Sequence, residues 1–457
     1  MNNILYSRDR WLFISVLSIL FLVAIIFSAY NYIVSFVILA FLFIVVLFFL
    51  KPLSGLYLIS LFLPITGLAV NYKGFELPFI DLLSVVVLTS FTIRHVYLYF
   101  FSGKKERLKF PGGIYFLLFF IFTLISGLLS DGVITHLWYS FRWILFFYLA
   151  FVVMPFNLIK NTKILHRVII FISLGASVVA LMSLVSLFLQ DWSDTFSRVT
   201  PLPIFGQWIF GENYNLLSEF LSMSAFLILS LKYWVKDLRV NRFLNLLSAF
   251  FILLVFLTFS RTSWITVSLQ LILYFLIYNF VIKRNKVNVK EILLVLFLMF
   301  VMILPFSVKM ISLQEANYSS TENRTLLTQI AWEAFLEKPF LGWGSGSFVS
   351  LVEDNVRFVA KYGDPLDSHG FGQKVLAENG ILGTIAFILF VVVIFNRIYS
   401  GVVNNREDYK LLLPLFISSF GVFFYQIFNT SYYKGRVWLP IAIALIAVNL
   451  ISNKNKK

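Results

Sequence analysis

The sequence predicts an all-α, polytopic integral membrane protein with about 12–14 transmembrane helices. Of its 457 residues, 60% are hydrophobic and only 13% are charged, a composition that soluble globular proteins do not have. Apolar runs of 16 to 22 residues recur from end to end, close to the ~20 residues that a helix needs to cross a bilayer. The runs are continuous rather than alternating, which indicates helices and excludes a closed β-barrel.

The predicted spans follow one another without a break in composition, so we interpret residues 1–457 as a single transmembrane domain. The first apolar block begins at Trp11, has no small-residue cleavage site and is followed by another block. We therefore expect a retained helix there rather than a signal peptide. Fourteen spans are predicted, near residues 11–28, 32–50, 53–70, 79–101, 113–129, 138–155, 168–190, 213–231, 243–259, 263–282, 291–307, 376–395, 411–428 and 438–452.

Positive charge predicts the orientation of these spans. Alternate loops carry the basic runs KKERLK, KYWVKDLRVNR and KRNK, and the tail ends in KNKK, whereas the other loops are poor in lysine and arginine. Basic loops stay in the cytoplasm, so both termini are expected there. Residues 308–375 then form a long extracytoplasmic loop within the domain.

The net charge of +15 does not indicate nucleic-acid binding, because the basic residues collect in short loops beside the membrane. We expect the lipid bilayer to be their partner and no nucleic acid to bind. The chain has no cysteine, which excludes disulfides and thiolate metal sites.

The long loop contains a predicted amphipathic helix, which we interpret as lying on the membrane surface and bringing Arg324 and His369 together. Ser319 and Glu322 have capping-box spacing, and Pro339 with Gly342 ends the helical pattern. Its apolar face is Leu326, Leu327, Ile330, Ala331, Ala334 and Phe335.

Two arginines are candidates for binding an anion. Arg261 lies between two strongly apolar spans, where an arginine costs at least ~2.5 kcal/mol by insertion scales and is retained for a partner. Arg324 heads the predicted surface helix, where a cation opposes the helix dipole. A guanidinium suits phosphate because it donates two parallel hydrogen bonds and stays charged. The alternatives are an Arg261 that snorkels to the interface and an Arg324 that is a solvated charge.

His369 and Glu378 are the candidate catalytic residues. His369 is one of only four histidines and lies on the same side as the two arginines, just before an apolar span. A neutral imidazole can accept a hydroxyl proton near neutral pH, although a lone histidine is more often structural. Glu378 is one turn into the next span, where a carboxylate is costly unless it is paired. It is expected to orient His369 or to bind a sugar.

No motif in the sequence indicates a metal or another cofactor. There is no DxD, HExxH or paired-carboxylate pattern, so we expect no metal ion. GWGSG at 342–346 is similar to a phosphate-binding loop, but no predicted strand precedes it and no lysine with serine or threonine follows it. The segment is therefore interpreted as a turn.

Three ordered segments resemble the core of the O-antigen ligase/polymerase superfamily. They are SRTSW, NRTLLTQIAWEAFLEKPFLGWGSGSF and SHGFGQKVLAENGILG, which fall within residues 200–395. The resemblance implies an inverting, metal-independent glycosyltransferase that takes a glycan from undecaprenyl diphosphate on the outer face of the bacterial cytoplasmic (inner) membrane. Arg261, Arg324 and a further arginine, Arg198, would bind the lipid diphosphate, and His369 would activate the acceptor hydroxyl.

Two questions of function stay open at this point. A ligase, which transfers to a lipid-glycan acceptor, and a polymerase, which transfers to a growing glycan, would use the same chemistry. The rival from another class is a lipid-linked oligosaccharide flippase. A transporter is expected to show repeated halves and ionisable groups near the midplane, whereas charge here is concentrated in one asymmetric loop, which favours the enzyme.

Overall fold

The computed structural model describes residues 43–72, 75–100, 107–190, 197–283 and 314–455. The predicted spans near residues 11–28 and 291–307 lie outside these residues. The elements are α1 Phe43–Leu50, α2 Pro52–Phe62, β1 Ala69–Tyr72, β2 Phe75–Pro78, α3 Phe79–Phe100, α4 Gly113–Leu128, α5 Val133–Leu158, α6 Thr162–Leu189, α7 Tyr214–Tyr233, α8 Leu238–Leu257, α9 Arg261–Lys283, α10 Gln314–Glu337, α11 Phe348–Glu353, α12 Val356–Tyr362, α13 Phe371–Asn404, α14 Arg406–Phe428 and α15 Gly435–Lys454.

The predicted class is confirmed: the protein is an all-α, polytopic membrane protein. Within the described ranges, nine helices are long and apolar enough to cross a membrane, and the bent pair α1 and α2 would make a tenth. Helices α7, α14 and α15 are the most buried of the nine and form the centre of the bundle. The outer helices present apolar side chains outward, as helices in a lipid environment do.

The predicted span over residues 53–70 is wrong. Helix α2 ends at Phe62, and the chain turns and enters a two-stranded antiparallel hairpin of β1 and β2. Helices α1 and α2 meet at 109°, with Pro52 at the first position of α2. Gly67 lies outside the helix, against the loop before α7, where its amide donates to the carbonyl of Ile209 (3.1 Å). Apolar composition alone does not predict this long-range contact.

The predicted helix in the long loop is confirmed as α10, but two of its details are wrong. The helix already runs through Ser319, so Ser319 is not its N-cap, and Arg324 lies inside the helix rather than at its head. Its predicted apolar face packs on protein, because α11, α12 and the start of α13 cover it. This small second core contains Leu327, Ile330, Ala331, Ala334, Phe348, Val352, Phe358 and Ala377.

Helix α13 is interrupted at Gly380, which has φ 59° and ψ −165°. This conformation is essentially restricted to glycine. An uninterrupted helix would bond the amides of Ile381 and Leu382 to the carbonyls of Ala377 and Glu378. The interruption leaves these four groups in need of other partners.

Residues 339–344 supply all four partners, and we call this pairing of 339–344 with 377–382 the backbone junction. It fastens the chain that follows α10 to the point where α13 enters the bundle. Its bonds are Trp343 N to Ala377 O (3.0 Å), Gly344 N to Glu378 O (2.8 Å), Ile381 N to Pro339 O (2.8 Å) and Leu382 N to Phe340 O (3.3 Å).

Gly380→Ala is expected to lower the free energy of unfolding by about 1–3 kcal/mol, because alanine is strained at this φ. Its Cβ would also lie 2.5 Å from the carbonyl carbon of Phe340. Thermal unfolding of the purified protein in detergent measures the effect. Gly372→Ala is the matched control, since a Cβ there meets nothing within 4 Å and alanine favours a helix. Equal melting temperatures for the two variants would contradict the proposed strain.

Candidate functional site

Arg261 is the first residue of α9, at a sharp turn from α8. Phe259 in this turn has φ 55°, which is uncommon for a residue other than glycine. Behind Arg261, hydroxyl groups hold the turn: Ser260 donates to the Asn215 side chain (2.7 Å), and Ser263 lies 2.5 Å from Ser218. These buried bonds fix the start of α9, while the Arg261 side chain itself is exposed.

Arg324 lies beside Arg261, although more than sixty positions separate them in the sequence. Burial lowers the pKa of the half-buried Arg324, and the positive charge of Arg261 lowers it further. Arginine remains charged despite such shifts, so two like charges lie within electrostatic range of each other. Tyr214 and Tyr425 lie near Arg324 and raise its pKa against these two effects. Among the described residues, neither arginine forms an ion pair with a carboxylate.

His369 lies in the turn that precedes α13, close to Arg324. Burial lowers the pKa of His369, the charge of Arg324 lowers it further, and Asp367 opposes these two effects. The imidazole is therefore neutral near neutral pH and free to accept a proton. The structure brings together Arg261, Arg324 and His369.

Arg198 reaches the same group of residues through an aromatic ring. Its guanidinium carbon lies 3.9 Å from the ring centre of Tyr214, which also lies near Arg324. The Gln190 side chain holds the Arg198 backbone, accepting from its amide at 3.0 Å and donating to its carbonyl at 2.7 Å.

Glu378 lies in a different environment and is almost fully buried. Its carboxylate accepts from the amide of Phe348 (3.3 Å) and lies 3.9 Å from Lys374 Nζ. The Phe348 contact lies just after the glycine-rich segment at 342–346, which is a turn as predicted: Gly342, Gly344 and Gly346 all have positive φ. The structure does not bring Glu378 into contact with His369.

Sequence reasoning missed a group of polar residues around the His369 turn. Lys374 Nζ contacts both carboxylate oxygens of Asp367, at 2.8 and 2.7 Å, and Gln373 donates to Thr328 Oγ1 at 2.6 Å. The available signal was the spacing of Lys374 and Glu378, four residues apart at the start of an apolar span. That spacing suggests a pair, but it does not show that Asp367 completes it.

Other basic residues of the predicted outer face differ from the arginine pair. Arg142 forms a 2.9 Å ion pair with Asp81, and Arg436 lies 3.7 Å from Glu219. Glu219 also accepts from Gln426 at 2.8 Å. Because carboxylates neutralise Arg142 and Arg436, these residues are less suited than Arg261 and Arg324 to bind an external anion.

No group of three or more histidine, aspartate or glutamate side chains that could hold a metal ion occurs in the described part of the chain. Among the described residues, the site presents the guanidinium groups of Arg261 and Arg324 and the imidazole of His369.

Comparison with known families identifies this region. Residues 246–388 match the family model for O-antigen ligase, a stretch that contains Arg261, Arg324, His369 and Glu378 but not Arg198. The match confirms the resemblance to the O-antigen ligase/polymerase superfamily. No curated protein matches the chain.

Glu378→Gln is expected to lower the free energy of unfolding by about 1–3 kcal/mol, because glutamine cannot pair with Lys374 and is a weaker acceptor for the Phe348 amide. The exposed Glu337, at the end of α10, gives the matched control Glu337→Gln. Limited proteolysis of the two variants would report whether the glycine-rich segment opens. Equal cleavage rates for Glu378→Gln and the control would show that the carboxylate does not hold it.

Proposed function

We propose that this O-antigen ligase-type protein is an inverting, metal-independent glycosyltransferase. It moves a glycan from undecaprenyl diphosphate to an acceptor hydroxyl on the outer face of the bacterial cytoplasmic membrane. The family match and the apolar helices support a membrane enzyme of glycan assembly. The observation that carries the finer proposal is the proximity of Arg324 to both Arg261 and His369.

The arginine pair supports a diphosphate donor. Two guanidinium groups at short range repel each other, and an anion between them removes that repulsion. Each can donate a pair of parallel hydrogen bonds to phosphate oxygens. Negative charge grows on the diphosphate as it leaves, so fixed positive groups there stabilise the transition state more than the bound substrate. Arg198, next to Tyr214, extends this positive region.

His369 supports the acceptor half of the reaction. In an inverting transfer the acceptor oxygen bonds to the anomeric carbon as the bond from that carbon to the diphosphate oxygen breaks. The hydroxyl proton passes to the imidazole, and the diphosphate leaves with the bonding electron pair. A neutral histidine is suited to take that proton. Because Glu378 bonds to the loop and to Lys374, we assign it to holding the site rather than to proton transfer.

Ligase and polymerase differ in the acceptor, and the described contacts favour neither. Purified protein offered a synthetic polyprenyl-diphosphate glycan together with several acceptors would separate them. A flippase would move the donor without breaking its glycosidic bond, and formation of a new glycosidic product would exclude that alternative.

Arg261→Lys and Arg324→Lys are expected to reduce donor binding and to lower turnover by about 10- to 1000-fold, because lysine keeps the charge without the planar fork. His369→Ala is expected to leave donor binding nearly intact and to lower turnover by roughly 10²–10⁴-fold. Donor affinity and transfer rate, measured on monodisperse protein, give both quantities. Arg239→Lys, at an exposed position at the start of α8, is the matched control.

Loss of donor affinity in His369→Ala equal to that in the arginine variants would refute the assignment of His369 as the base. Full turnover in His369→Ala would show that His369 takes no part in the transfer reaction. Normal donor binding in both arginine variants would remove the proposed diphosphate site.

Orientation gives a separate test, made simple by the absence of native cysteine. Asp364→Cys, in the long loop, is expected to react with a membrane-impermeant thiol reagent in intact cells or spheroplasts. Lys236→Cys, in the basic loop between α7 and α8, is expected to react only after the membrane is opened. Both positions are exposed, so a difference in labelling would report the side of the membrane rather than burial. The reverse pattern would place the site on the cytoplasmic face.

A further inference from the structure

We propose that Gln373 and Lys374, in the first turn of α13, are positioning residues that hold His369 in register with Arg324. The two residues make different contacts. Lys374 holds the turn that contains His369, and Gln373 connects that turn to α10. Their part in the reaction rests on the function proposed above, whereas their effect on geometry does not.

Lys374 ties the His369 turn to α13. Its side chain is only 5% exposed, and Nζ contacts both oxygens of Asp367, two residues before His369. A lysine so buried requires a carboxylate partner, so the ion pair fixes where Asp367 lies. The Asp367 carboxylate also accepts from the amide of Ser368 at 2.8 Å, which defines the local backbone.

Gln373 ties the same turn to the helix that carries Arg324. Its Nε2 donates to Thr328 Oγ1 at 2.6 Å, while its Oε1 lies 3.2 Å from Ser368 Oγ. Thr328 in turn donates to the carbonyl of Arg324 at 2.7 Å. A continuous path of hydrogen bonds therefore connects the backbone of Arg324 with the residue next to His369.

This path of hydrogen bonds is needed because no helix or strand fixes the position of His369 relative to Arg324. The residues between α12 and α13 form no helix or strand, so main-chain hydrogen-bond ladders do not hold His369. Gly370 adds a steric limit, since a Cβ there would lie 2.6 Å from the Ile427 carbonyl of α14. A misplacement of about 1 Å can reduce a reaction rate about 10²-fold, so a site of this kind depends on such supports.

A distance measurement tests the proposal without any assay of activity. Spin labels at Glu333→Cys on α10 and Asp364→Cys in the turn occupy exposed positions, and the chain has no other cysteine. We expect one narrow distance distribution in the parent protein and a broader or shifted one in Gln373→Leu. Thr328→Val removes the same bond from its other end and should have the same effect. Gln329→Leu, at the exposed neighbouring position, is the matched control and should leave the distribution narrow.

Transfer kinetics test the consequence for the reaction. Gln373→Leu is expected to lower kcat by about 10- to 100-fold with little change in donor affinity. The charged groups that face His369 are Arg324 on α10 and Asp367 on its own turn. Asp367→Asn removes the charge that raises the pKa of His369, so the acid limb of the rate profile should move to lower pH. Lys374→Met leaves that charge unopposed, so the limb should move to higher pH.

The outcomes separate the two proposals. Unchanged label distances in Gln373→Leu and Thr328→Val, or acid limbs that move in the same direction in the two ion-pair variants, would overturn the positioning role. No glycan transfer by the parent protein, with broadened distances in Gln373→Leu and Thr328→Val, would overturn the proposed function and leave the structural role standing.

Discussion

The site depends on four backbone hydrogen bonds that replace two missing helical ones. At Gly380 the ladder of α13 is broken, and residues 339–344 bond to every group that the break releases. In a membrane bundle such groups cannot be left unbonded without a cost of several kcal/mol each, so the partners are obligatory. Since residues 339–344 directly follow α10, this junction fixes the helix that carries Arg324 relative to the helix that follows His369.

The charged residues near the backbone junction form two groups. In one group a lysine is paired with carboxylates, and in the other two arginines have no carboxylate partner among the described residues. Lys374 lies between the partly buried Asp367 and the buried Glu378, and the Glu378 carboxylate also accepts from the Phe348 amide. Arg261 and Arg324 lie within electrostatic range of each other and have no carboxylate partner among the described residues. Separating the two groups keeps the acids from neutralising the arginines, which is what the proposed anion site requires.

Tertiary contacts decide what the apolar face of the amphipathic helix in the long loop packs against. The apolar positions of α10 were correctly placed at helical spacing, but the same stripe can face lipid or protein. The later helices α11 and α12 supply the cover, so the stripe becomes the core of a small unit. The cap prediction failed for a related reason. The spacing of Ser319 and Glu322 permits a capping box, and nothing local to it shows that the helix begins at least as early as Gln314.

The sequence by itself determined the membrane class, the positions of most described spans and the identity of Arg261, Arg324 and His369 as unusual residues. It could do so because composition, apolar run length and charge at membrane depth are local properties. Only the tertiary structure decided which of these residues meet. In the fold, Arg324 lies near both Arg261 and His369. Glu378 instead contacts Phe348 and Lys374. Gln373 forms a hydrogen bond with Thr328. Such pairings join residues far apart in the chain, and they follow from helix packing and from the break at Gly380, which no local pattern encodes.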